Sequence, residues 1–488
     1  MTLTLADLYL GLGSGAGPSP PAALPAAWAE QRIEQFVIDS RQVAPGSCFI
    51  ALPGERADGH HFIADALRRG AVAILAARAP GDVPLPLTIV QPDQAPAPAA
   101  APPFLFLVED SLAGLQRLAA SWRAQHSPTV IGITGSVGKT STKEVTAAVL
   151  RQRYPTLWNE GNLNNEIGLP LTLLRLEGQH AYAVLEMGFY VPGEIAQLCD
   201  IARPRIGVLT NIGPIHLERA GSMEAIFQGK AELVQALPAD GLAILNWDDE
   251  WVRRMADLSP APVFRYGLHP EADLWADEII SYGLDGIHFR FHHRRSRGDE
   301  EVLHVQLPLL GQHSVHTALR AAAVGLAAGM AWEDIIHGLR DVNAQVRIEV
   351  APGFNGSTLI DDTYNASPPS ALAALNLLAE MAGRRVAVLG DMLELGSYAE
   401  KGHRLVGRRA AEVVDRLVAV GDLAGWLAEE ALVGGMPPAH VHHVSTAAAA
   451  IDLLRNLIQP GDFVLIKGSR ATGMDVVSTA LIPPTPTL

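Results

Sequence analysis

The feature that most constrains the fold is an apolar run that leads through a glycine turn into a helical pattern. Residues 129–150 read TVIGITGSVGKTSTKEVTAAVL: an apolar strand, a turn bracketed by Gly135 and Gly138, and a long amphipathic segment. Further apolar strands, AYAVLEMG, RIGVLTNIG and GLAILNWD, alternate with helical stretches downstream. This alternation predicts an α/β fold with a parallel sheet covered by helices.

The chain is predicted to form three domains, because 488 residues exceed a single core and about 150 residues per domain is typical. The first, 1–127, mixes short strands and helices and carries the insert QPDQAPAPAAAPP, which we expect to be an exposed loop. The central domain, 128–345, contains the glycine turn. The last, 346–488, repeats the alternation with RRVAVLGD, RLVAVGDL, HVHHVST and DFVLIKGS, which predicts a Rossmann-like open sheet.

Composition narrows the class of protein. Hydrophobic residues make up 48% and charged residues 18%, which is typical of a globular chain, and the net charge of −15 argues against nucleic acid or anionic membrane as a partner. Cys48 and Cys199 follow no metal-ligand spacing and fit a reducing cytosol. The start, MTLTLADLYLGLG, lacks a basic n-region, and the most apolar stretch, ALRAAAVGLAAGMAW, contains Arg320. We therefore expect a soluble cytoplasmic protein without membrane insertion.

The glycine turn has the tail of a phosphate-binding loop, but Ile133 stands where a glycine is expected six residues before the lysine. Glycines permit the tight turn, and the following helix presents its N-terminus to a triphosphate. Lys139 can reach the β- and γ-phosphates, and the Thr140 hydroxyl can hold Mg²⁺. The alternative is an ordinary strand–turn–helix junction with an incidental lysine. The predicted triphosphate-binding loop comprises Thr134, Gly135, Ser136, Val137, Gly138, Lys139 and Thr140.

The stretch TGSVGKTSTKE resembles the loop of the Mur ligases, ATP-dependent amide-forming enzymes of peptidoglycan assembly, whose compact loop lacks the early glycine. Seven further matches occur in the family's order: GNLNNEIGLPLTLL, LEMG, NIGPIHLE, GKAELV, LNWDDE, DDTYNASPPS and LIKGSR. The stretches LGDMLELG and YNASP are most similar to those of family members that add D-alanyl-D-alanine to UDP-N-acetylmuramoyl-tripeptide. The DNPR motif of tripeptide-forming members is absent from this sequence. The resemblance implies ATP, Mg²⁺ and those two substrates, and we expect a monomer.

The resemblance also implies a metal site formed by Thr140, Glu186, His216 and Lys230. From the residues alone, Glu186 ends an apolar strand, where a carboxylate can bind magnesium or form a salt bridge. A lone histidine such as His216 is more often packed or exposed, and Lys230 would pass for a solvated helix lysine. In the family this lysine is carbamylated, which turns a cation into a carboxylate-like ligand. The implied catalytic residues are Lys139, His216 and Lys230.

Looser matches suggest the remaining contacts. The resemblance implies four further ATP-binding residues, Arg347, Asp362, Tyr364 and Asn365. It implies eight substrate-binding residues, Ser40, Arg41, Asn164, Asn165, Glu166, Lys467, Ser469 and Arg470. Alone, Asn164 to Glu166 would pass for a polar helix start, and Ser40 with Arg41 for plain surface. Ser314 and Thr317 replace the two asparagines of the family's H-N-x-x-N-A motif, so we expect altered contacts to adenine.

Two alternatives remain open at this stage. A nucleotide-dependent switch would bind and slowly hydrolyse a triphosphate, but the N-K-x-D motif of a GTPase is absent from the sequence. Within the enzymes, a tripeptide-forming ligase or one like folylpolyglutamate synthase would share the same loop. Release of phosphate in the presence of each acceptor and amine distinguishes these functions.

Overall fold

The computed structural model describes residues 3–13, 25–54, 57–81, 87–92, 101–296, 298–341 and 348–483. Within them, strands β1 to β20 are, in chain order, Gln35–Val37, Ser47–Ile50, Ala73–Ala76, Thr88–Val90, Phe104–Leu107, Thr129–Thr134, Thr156–Trp158, Tyr182–Glu186, Ile206–Leu209, Leu242–Asn246, Val263–Gly267, Leu274–Ser281, Ile287–Ser296, Asp299–Leu307, Glu349–Pro352, Thr358–Asp362, Arg385–Gly390, Arg416–Val420, Val441–Val444 and Phe463–Lys467. Helices α1 to α17 are Leu5–Leu12, Ala26–Glu30, Ile63–Arg68, Ser111–Ala124, Lys139–Arg151, Gly168–Leu173, Glu194–Ala202, Leu217–Ala220, Met223–Gln235, Glu250–Arg254, Val315–Ala327, Trp332–Leu339, Pro368–Ala379, Ala399–Val413, Ala424–Val433, Ala447–Leu457 and Met474–Leu481.

The chain forms two compact units. The first comprises Met1–Gly132, Tyr154–Gly188 and Glu194–Arg205, and the second comprises Ile133–Arg153, Phe189–Gly193 and Ile206–Leu488. The predicted domain boundaries after residues 127 and 345 stay predictions, and the second of them lies outside the described residues.

The first unit contains a five-stranded parallel sheet in the order β1-β2-β3-β5-β4. Its central strands, SCFI, AILA and FLFL, are buried almost throughout. Continuous apolar runs of this kind are typical of parallel strands covered on both faces. On one face, Phe49, Ile74 and Leu105 pack with Ile63 and Leu67 of α3 in a single apolar core. Outside this sheet, β7 and β8 of the same unit pair in parallel.

In the second unit, β9, β10, β11 and β12 pair in parallel, and β12, β13 and β14 continue the sheet in antiparallel register. A second sheet in this unit has the order β15-β16-β20-β17-β18-β19 and is parallel except for β15. Helices α13 to α15 pack on one face of this sheet, and α16 and α17 pack on the other. The chain passes from β16 to β17 across β20, which creates the strand-order reversal where open α/β sheets bind ligands.

The predicted α/β fold, with parallel sheets, a strand–loop–helix for phosphate and a Rossmann-like C-terminal sheet, is confirmed. The proline–alanine insert lies largely outside the described residues, since residues 93–100 are not among them. Across the described residues, no helix has the length and apolar character needed to cross a membrane. Cys48 and Cys199 are both buried.

Candidate active site

The phosphate loop begins where β6 ends at Thr134 and continues into α5, which starts at Lys139. Gly135 has φ +145° and Gly138 has φ +83°, backbone angles that favour glycine. A Cβ added at Gly135 would lie 1.9 Å from Thr210 Oγ1, so the site has no room for a side chain. The two glycines quoted from the sequence are therefore required by the turn itself.

Residues that follow β9 hold the loop in place. The Ser136 backbone N–H donates to Asn211 O at 2.8 Å, and the Val137 N–H donates to Asn211 Oδ1 at 2.9 Å. The Gly213 N–H donates to Ser136 Oγ at 2.8 Å. These bonds fix the loop without a ligand, and preorganised loops of this kind bind anions well. Asn211 lies within the NIGPIHLE motif, but sequence reasoning did not single it out.

Two lysine side chains converge on one carbonyl of this loop. Lys139 Nζ donates to Gly135 O at 2.9 Å and to Ser136 O at 3.4 Å, while Lys230 Nζ donates to Gly135 O at 3.1 Å. Lys230 is only 2% exposed and lies 4.5 Å from the Phe189 ring centroid, so it is not a solvated helix lysine. Two ammonium groups at one carbonyl repel each other, and an anionic ligand or loss of one charge would relieve that repulsion.

His216 lies in the same electrostatic environment. Burial lowers the pKa of its imidazole to about 4, and the charges of Lys139 and Lys230 act in the same direction. Its Nδ1 hydrogen-bonds to Glu394, and its ring packs edge-on to Tyr190 at a centroid distance of 4.8 Å. His216 and Glu394 both have positive φ, which is uncommon for such residues. The structure thus gathers all three predicted catalytic residues, with His216 neutral.

Glu186 and Asn164 lie together in the first unit. Asn164 Nδ2 donates to Glu186 Oε1 at 2.8 Å, and the Asn159 side chain fixes the backbone of Glu186 at both N and O. Glu186 Oε2 is buried and has no hydrogen-bond partner among the described residues. Asn165 Oδ1 accepts the Gly168 N–H at 2.9 Å, which makes it a helix-start residue in this structure. The Glu166 backbone oxygen accepts a hydrogen bond from Gln116 Nε2 at 3.0 Å.

The predicted residues of the last segment meet at the carboxyl ends of β16 and β20. Asp362 and Lys467 are paired in register and form a buried ion pair of 2.6 Å, and Lys467 Nζ also donates to Asn365 O at 2.9 Å. The Arg470 guanidinium lies 5.7 Å from the Tyr364 ring centroid. The resemblance predicts two different ligands for these residues, and the structure places them at one crevice.

Ser469 and the loop after β17 join the same crevice. The Ser469 hydroxyl oxygen accepts the Leu393 N–H at 2.9 Å, and the Ser469 N–H donates to Asp391 O at 3.0 Å. Asp391 Oδ1 in turn accepts the Ala424 N–H at 2.7 Å, at the start of α15. The LGDMLELG and LIKGSR motifs therefore support each other at adjacent strand ends.

A cavity of about 330 Å³ opens beside the phosphate loop in the second unit. Six of its lining residues are Val137, Gly138, Thr317, Arg320, Asp362 and Lys467. Apolar side chains such as Leu309 and Ile348 line the same space. The cavity therefore adjoins the loop and offers apolar walls together with a few polar groups, as small-molecule sites usually do.

Thr317 and Ser314, the two departures from the asparagine motif, are turned toward protein partners. Thr317 Oγ1 accepts a hydrogen bond from Arg320 Nη2 at 3.0 Å, and Ser314 Oγ donates to Leu310 O. Arg320 is 4% exposed and was missed as a site residue. The only signal in the sequence was one charge within an apolar stretch.

Ser40 and Arg41 lie in the first unit. Arg41 is exposed and forms a two-point ion pair with Asp39, with Nη2 to Oδ2 at 2.6 Å and Nε to Oδ1 at 2.9 Å. The Arg41 hydrogen bonds lower the pKa of Asp39 to about 2. Ser40 is buried. Arg347, a predicted ATP-binding residue, lies outside the described residues.

The geometry of the described residues supports only part of the predicted metal site. Among the described residues, no three histidine, cysteine, aspartate or glutamate side chains gather as a metal site. The predicted set relies instead on a hydroxyl, Thr140, and on a modified lysine, Lys230, neither of which belongs to those residue types. Glu186 Oε2, which is buried and has no hydrogen-bond partner among the described residues, fits a cation ligand.

A preorganised glycine loop at a strand–helix junction, with converging lysines and an adjoining cavity, defines a nucleotide-binding α/β enzyme. Comparison with known proteins narrows this class. Three family descriptions match: Mur ligase family, catalytic domain, at residues 32–123, Mur ligase middle domain at 133–325, and Mur ligase, glutamate ligase domain, at 346–470. The chain belongs to the Mur ligase family, a family of ATP-dependent ligases.

Individual relatives match this chain over nearly its whole length. A UDP-N-acetylmuramoyl-tripeptide--D-alanyl-D-alanine ligase of Mycobacterium tuberculosis is 40% identical over 476 residues, which is 91% of each chain. The protein of the same name from Escherichia coli K12 is 36% identical and covers 93% of this chain and 94% of its own. A crystal structure of MurF from Acinetobacter baumannii matches at TM-score 0.79 with 31% identity and 98% coverage of both chains. MurF from Thermotoga maritima in complex with ADP matches at TM-score 0.75 with 29% identity, covering 92% of this chain and 97% of its own.

Proposed function

We propose that this protein joins D-alanyl-D-alanine to UDP-N-acetylmuramoyl-tripeptide, with conversion of ATP to ADP and phosphate, in the cytoplasmic synthesis of peptidoglycan precursors. The observation that carries the proposal is the convergence of Lys139 and Lys230 on Gly135 O beside a neutral His216. Support for these particular substrates comes from relatives of that name at 36–40% identity. We further propose that the protein is a monomer.

The reaction needs an activated carboxyl group, because a carboxylate oxygen is a poor leaving group. A carboxylate oxygen of the tripeptide attacks the γ-phosphorus of ATP, the bond to ADP breaks, and an acyl phosphate forms. The amine of D-alanyl-D-alanine then attacks the acyl carbon, loses a proton and displaces phosphate. In this scheme Lys139 stabilises the charge that develops on the transferred phosphoryl group.

The loop binds the triphosphate at the N-terminus of α5, because the Ser136 and Val137 N–H groups already donate to Asn211. Lys139 exchanges its bonds to Gly135 O and Ser136 O for phosphate oxygens, a movement that its flexible side chain permits. The adjoining cavity accepts the nucleoside, between apolar walls that include Leu309 and Ile348. Asp362 and Lys467, paired at the edge of this cavity, position the last segment against the nucleotide.

Magnesium is assigned to Thr140, Glu186, His216 and Lys230. Glu186 fits because its Oε2 is buried and has no hydrogen-bond partner among the described residues, and His216 fits because its imidazole is neutral. Bound there, the ion would neutralise charge on the phosphates. Unmodified Lys230 would repel it, and carbamylation of Lys230 Nζ by carbon dioxide would replace that cation with an anionic oxygen donor.

The amine donor is assigned to the crevice at the carboxyl ends of β16 and β20. Arg470, stacked beside Tyr364, supplies a guanidinium for the carboxylate of D-alanyl-D-alanine. The Ser469 hydroxyl accepts the Leu393 N–H and donates to Ala366 O, and it would exchange the bond to Ala366 for one to the ligand. This crevice is the strand-order reversal of the sheet, where ligands of open α/β folds bind.

We assign five residues of the first unit to the UDP-muramoyl substrate: Ser40, Arg41, Asn164, Asn165 and Glu166. Arg41 must exchange its contact with Asp39 for a phosphate, which is feasible because exposed ion pairs contribute little stability. Asn164 contributes through Glu186, whose Oε1 it holds.

The test supplies each acceptor and each amine in turn and measures phosphate release together with the ligated product. We expect stoichiometric phosphate and product only when UDP-N-acetylmuramoyl-tripeptide and D-alanyl-D-alanine are both present. Product from a dipeptide acceptor with a diamino acid would indicate a tripeptide-forming ligase, and product from a folate with glutamate would indicate a folylpolyglutamate synthase. Phosphate release without any acceptor or amine would indicate a switch.

A further inference from the structure

Arg320 is a charged residue in a helix that is otherwise nearly all apolar on its buried side. Helix α11, Val315–Ala327, reads VHTALRAAAVGLA, and most of its residues are buried against the surrounding sheet and helices. Arg320 itself is only 4% exposed. Burying a charge is unfavourable unless it is paired, so a structure that keeps an arginine here needs a compensating partner.

The partners of Arg320 among the described residues are neutral. Arg320 Nη2 donates to Thr317 Oγ1 at 3.0 Å, and the guanidinium carbon lies 5.8 Å from the Tyr266 ring centroid. Within the part of the chain that the structure describes, the buried Nε has no hydrogen-bond partner. Among the described residues no carboxylate forms an ion pair with Arg320, whereas the half-buried Arg384 pairs with Asp462 at 3.1 Å. The counter-anion of Arg320 is therefore not part of the described protein.

The guanidinium lies directly beside the phosphate loop. Arg320 Nη2 is 3.3 Å from the position that a Cβ would take at Gly138, the residue that caps α5, and Nη1 is 3.8 Å from it. Arg320 also lines the 330 Å³ cavity together with Val137 and Gly138. A buried cation without a counter-anion among the described residues thus faces the phosphate loop, a part of the fold that is built to receive an anion.

We propose that Arg320 binds the phosphate chain of the nucleotide and that this phosphate is its missing counter-anion. The inference rests on the proposed function, since it requires ATP in the phosphate loop. Arginine suits the role because its planar guanidinium donates several hydrogen bonds to phosphate oxygens and keeps its charge when buried. Thr317 orients the guanidinium by accepting a hydrogen bond from Arg320 Nη2. The threonine that replaces the family's asparagine therefore contributes to phosphate binding and not to recognition of the adenine base.

The test compares the affinities of ADP and adenosine for the parent protein, Arg320→Ala, Arg320→Gln and Arg320→Lys by titration calorimetry. A hydrogen bond to a charged group contributes about 1.5–3 kcal/mol, so we expect ADP to bind roughly 10- to 100-fold more weakly to the alanine and glutamine variants. Adenosine affinity should stay within about threefold of the parent, and Arg320→Lys should recover part of the ADP affinity. Arg340→Ala, which removes an exposed arginine bonded to Gln306 O, is the matched control and should bind ADP like the parent.

The outcomes of this test distinguish the inference about Arg320 from the proposed function. ADP affinity unchanged in both neutral variants would overturn this inference and leave the proposed function standing. Equal weakening of ADP and adenosine would also overturn it, because a purely structural arginine affects every ligand alike. Failure of the parent protein to bind ADP would overturn the proposed function and this inference with it. If Arg320→Ala does not fold, the polar, uncharged Arg320→Gln and the charge-preserving Arg320→Lys carry the comparison, each checked by thermal unfolding without ligand.

Discussion

Replacing Gly135 by alanine tests the geometry of the phosphate loop most sharply. The added Cβ would lie 1.9 Å from Thr210 Oγ1 and 3.0 Å from Thr210 Cβ, far inside van der Waals contact. The Asn211 backbone nitrogen is 3.1 Å away, and Asn211 also holds the loop through Ser136. The clash cannot be relieved by the far end of a flexible side chain, so the loop or β9 must move.

The magnitude follows from two contributions. A non-glycine residue at a φ of +145° carries a backbone strain of about 1–3 kcal/mol. Forcing a methyl group into a filled site adds about 1–3 kcal/mol. Together they predict a loss of about 2–6 kcal/mol in the free energy of unfolding, a large share of the 5–15 kcal/mol that is typical of a protein. If the loop yields instead, its hydrogen bonds to Asn211 break and nucleotide binding is lost.

Urea unfolding and ATP-dependent phosphate release measure both consequences. Gly329→Ala is the matched control, because Gly329 has φ +71° but an added Cβ would meet nothing within 4 Å. It should show only the backbone strain and keep its activity. The double variant Gly135→Ala with Thr210→Ala removes Oγ1 and should recover part of the stability. A Gly135→Ala protein as stable and active as Gly329→Ala would refute the steric reasoning.

Three further changes test the chemistry and the electrostatics. Lys139→Ala should lower the ligation rate by about 10²–10³-fold without unfolding the protein, because one contact to the transferred phosphoryl group is lost, and a rate within a few-fold of the parent would contradict this role. Lys230→Ala should lose ligation activity and regain part of it with added formate or acetate. Mass analysis of the parent protein under bicarbonate should show one added carbon dioxide on Lys230. Full activity of the variant without an added carboxylate would contradict the proposal that Lys230 is carbamylated. His403 is fully buried, accepts the Met392 N–H at Nε2 and hydrogen-bonds Ala399 O through Nδ1, and burial lowers the pKa of its imidazole. The folded protein then binds this proton less readily than the unfolded chain, whose histidine titrates near 6.5, so stability should fall as the pH drops below about 6.5. Urea unfolding between pH 7.5 and 5.5 should show a shallower pH dependence in His403→Gln than in the parent, and identical slopes would contradict the prediction.

Local patterns in the sequence were sufficient to predict most of the parallel strands. DFVLIKGS and RLVAVGDL contain the buried strands Phe463–Lys467 and Arg416–Val420, because short apolar runs bounded by turn residues specify a covered strand. The antiparallel strands β12 to β14 were not predicted. Their exposed faces carry ion pairs such as Arg290 with Asp277, and cross-strand pairing of this kind depends on register, which a local pattern does not encode.

The site was predicted unevenly for a similar reason. The phosphate loop is continuous in sequence, so Gly135 and Lys139 could be recognised from their spacing. The pairing of Asp362 with Lys467 joins residues that are 105 positions apart, and only the strand order of the sheet brings them together. Arg320 could not be assigned, because the sequence shows a charge on a helix but not the cavity that the helix faces. The roles given to the site residues and the domain boundaries remain predictions.

The central claim is that ATP activates the peptide carboxylate as an acyl phosphate, and isotope transfer tests it most directly. UDP-N-acetylmuramoyl-tripeptide labelled with ¹⁸O in its reacting carboxylate is incubated with ATP, D-alanyl-D-alanine and the protein, and the released phosphate is analysed by mass spectrometry. The mechanism predicts one ¹⁸O in each phosphate, because the carboxylate oxygen that attacks the γ-phosphorus leaves with it when the amine displaces phosphate. Unlabelled phosphate formed alongside ligated product would contradict the acyl-phosphate mechanism.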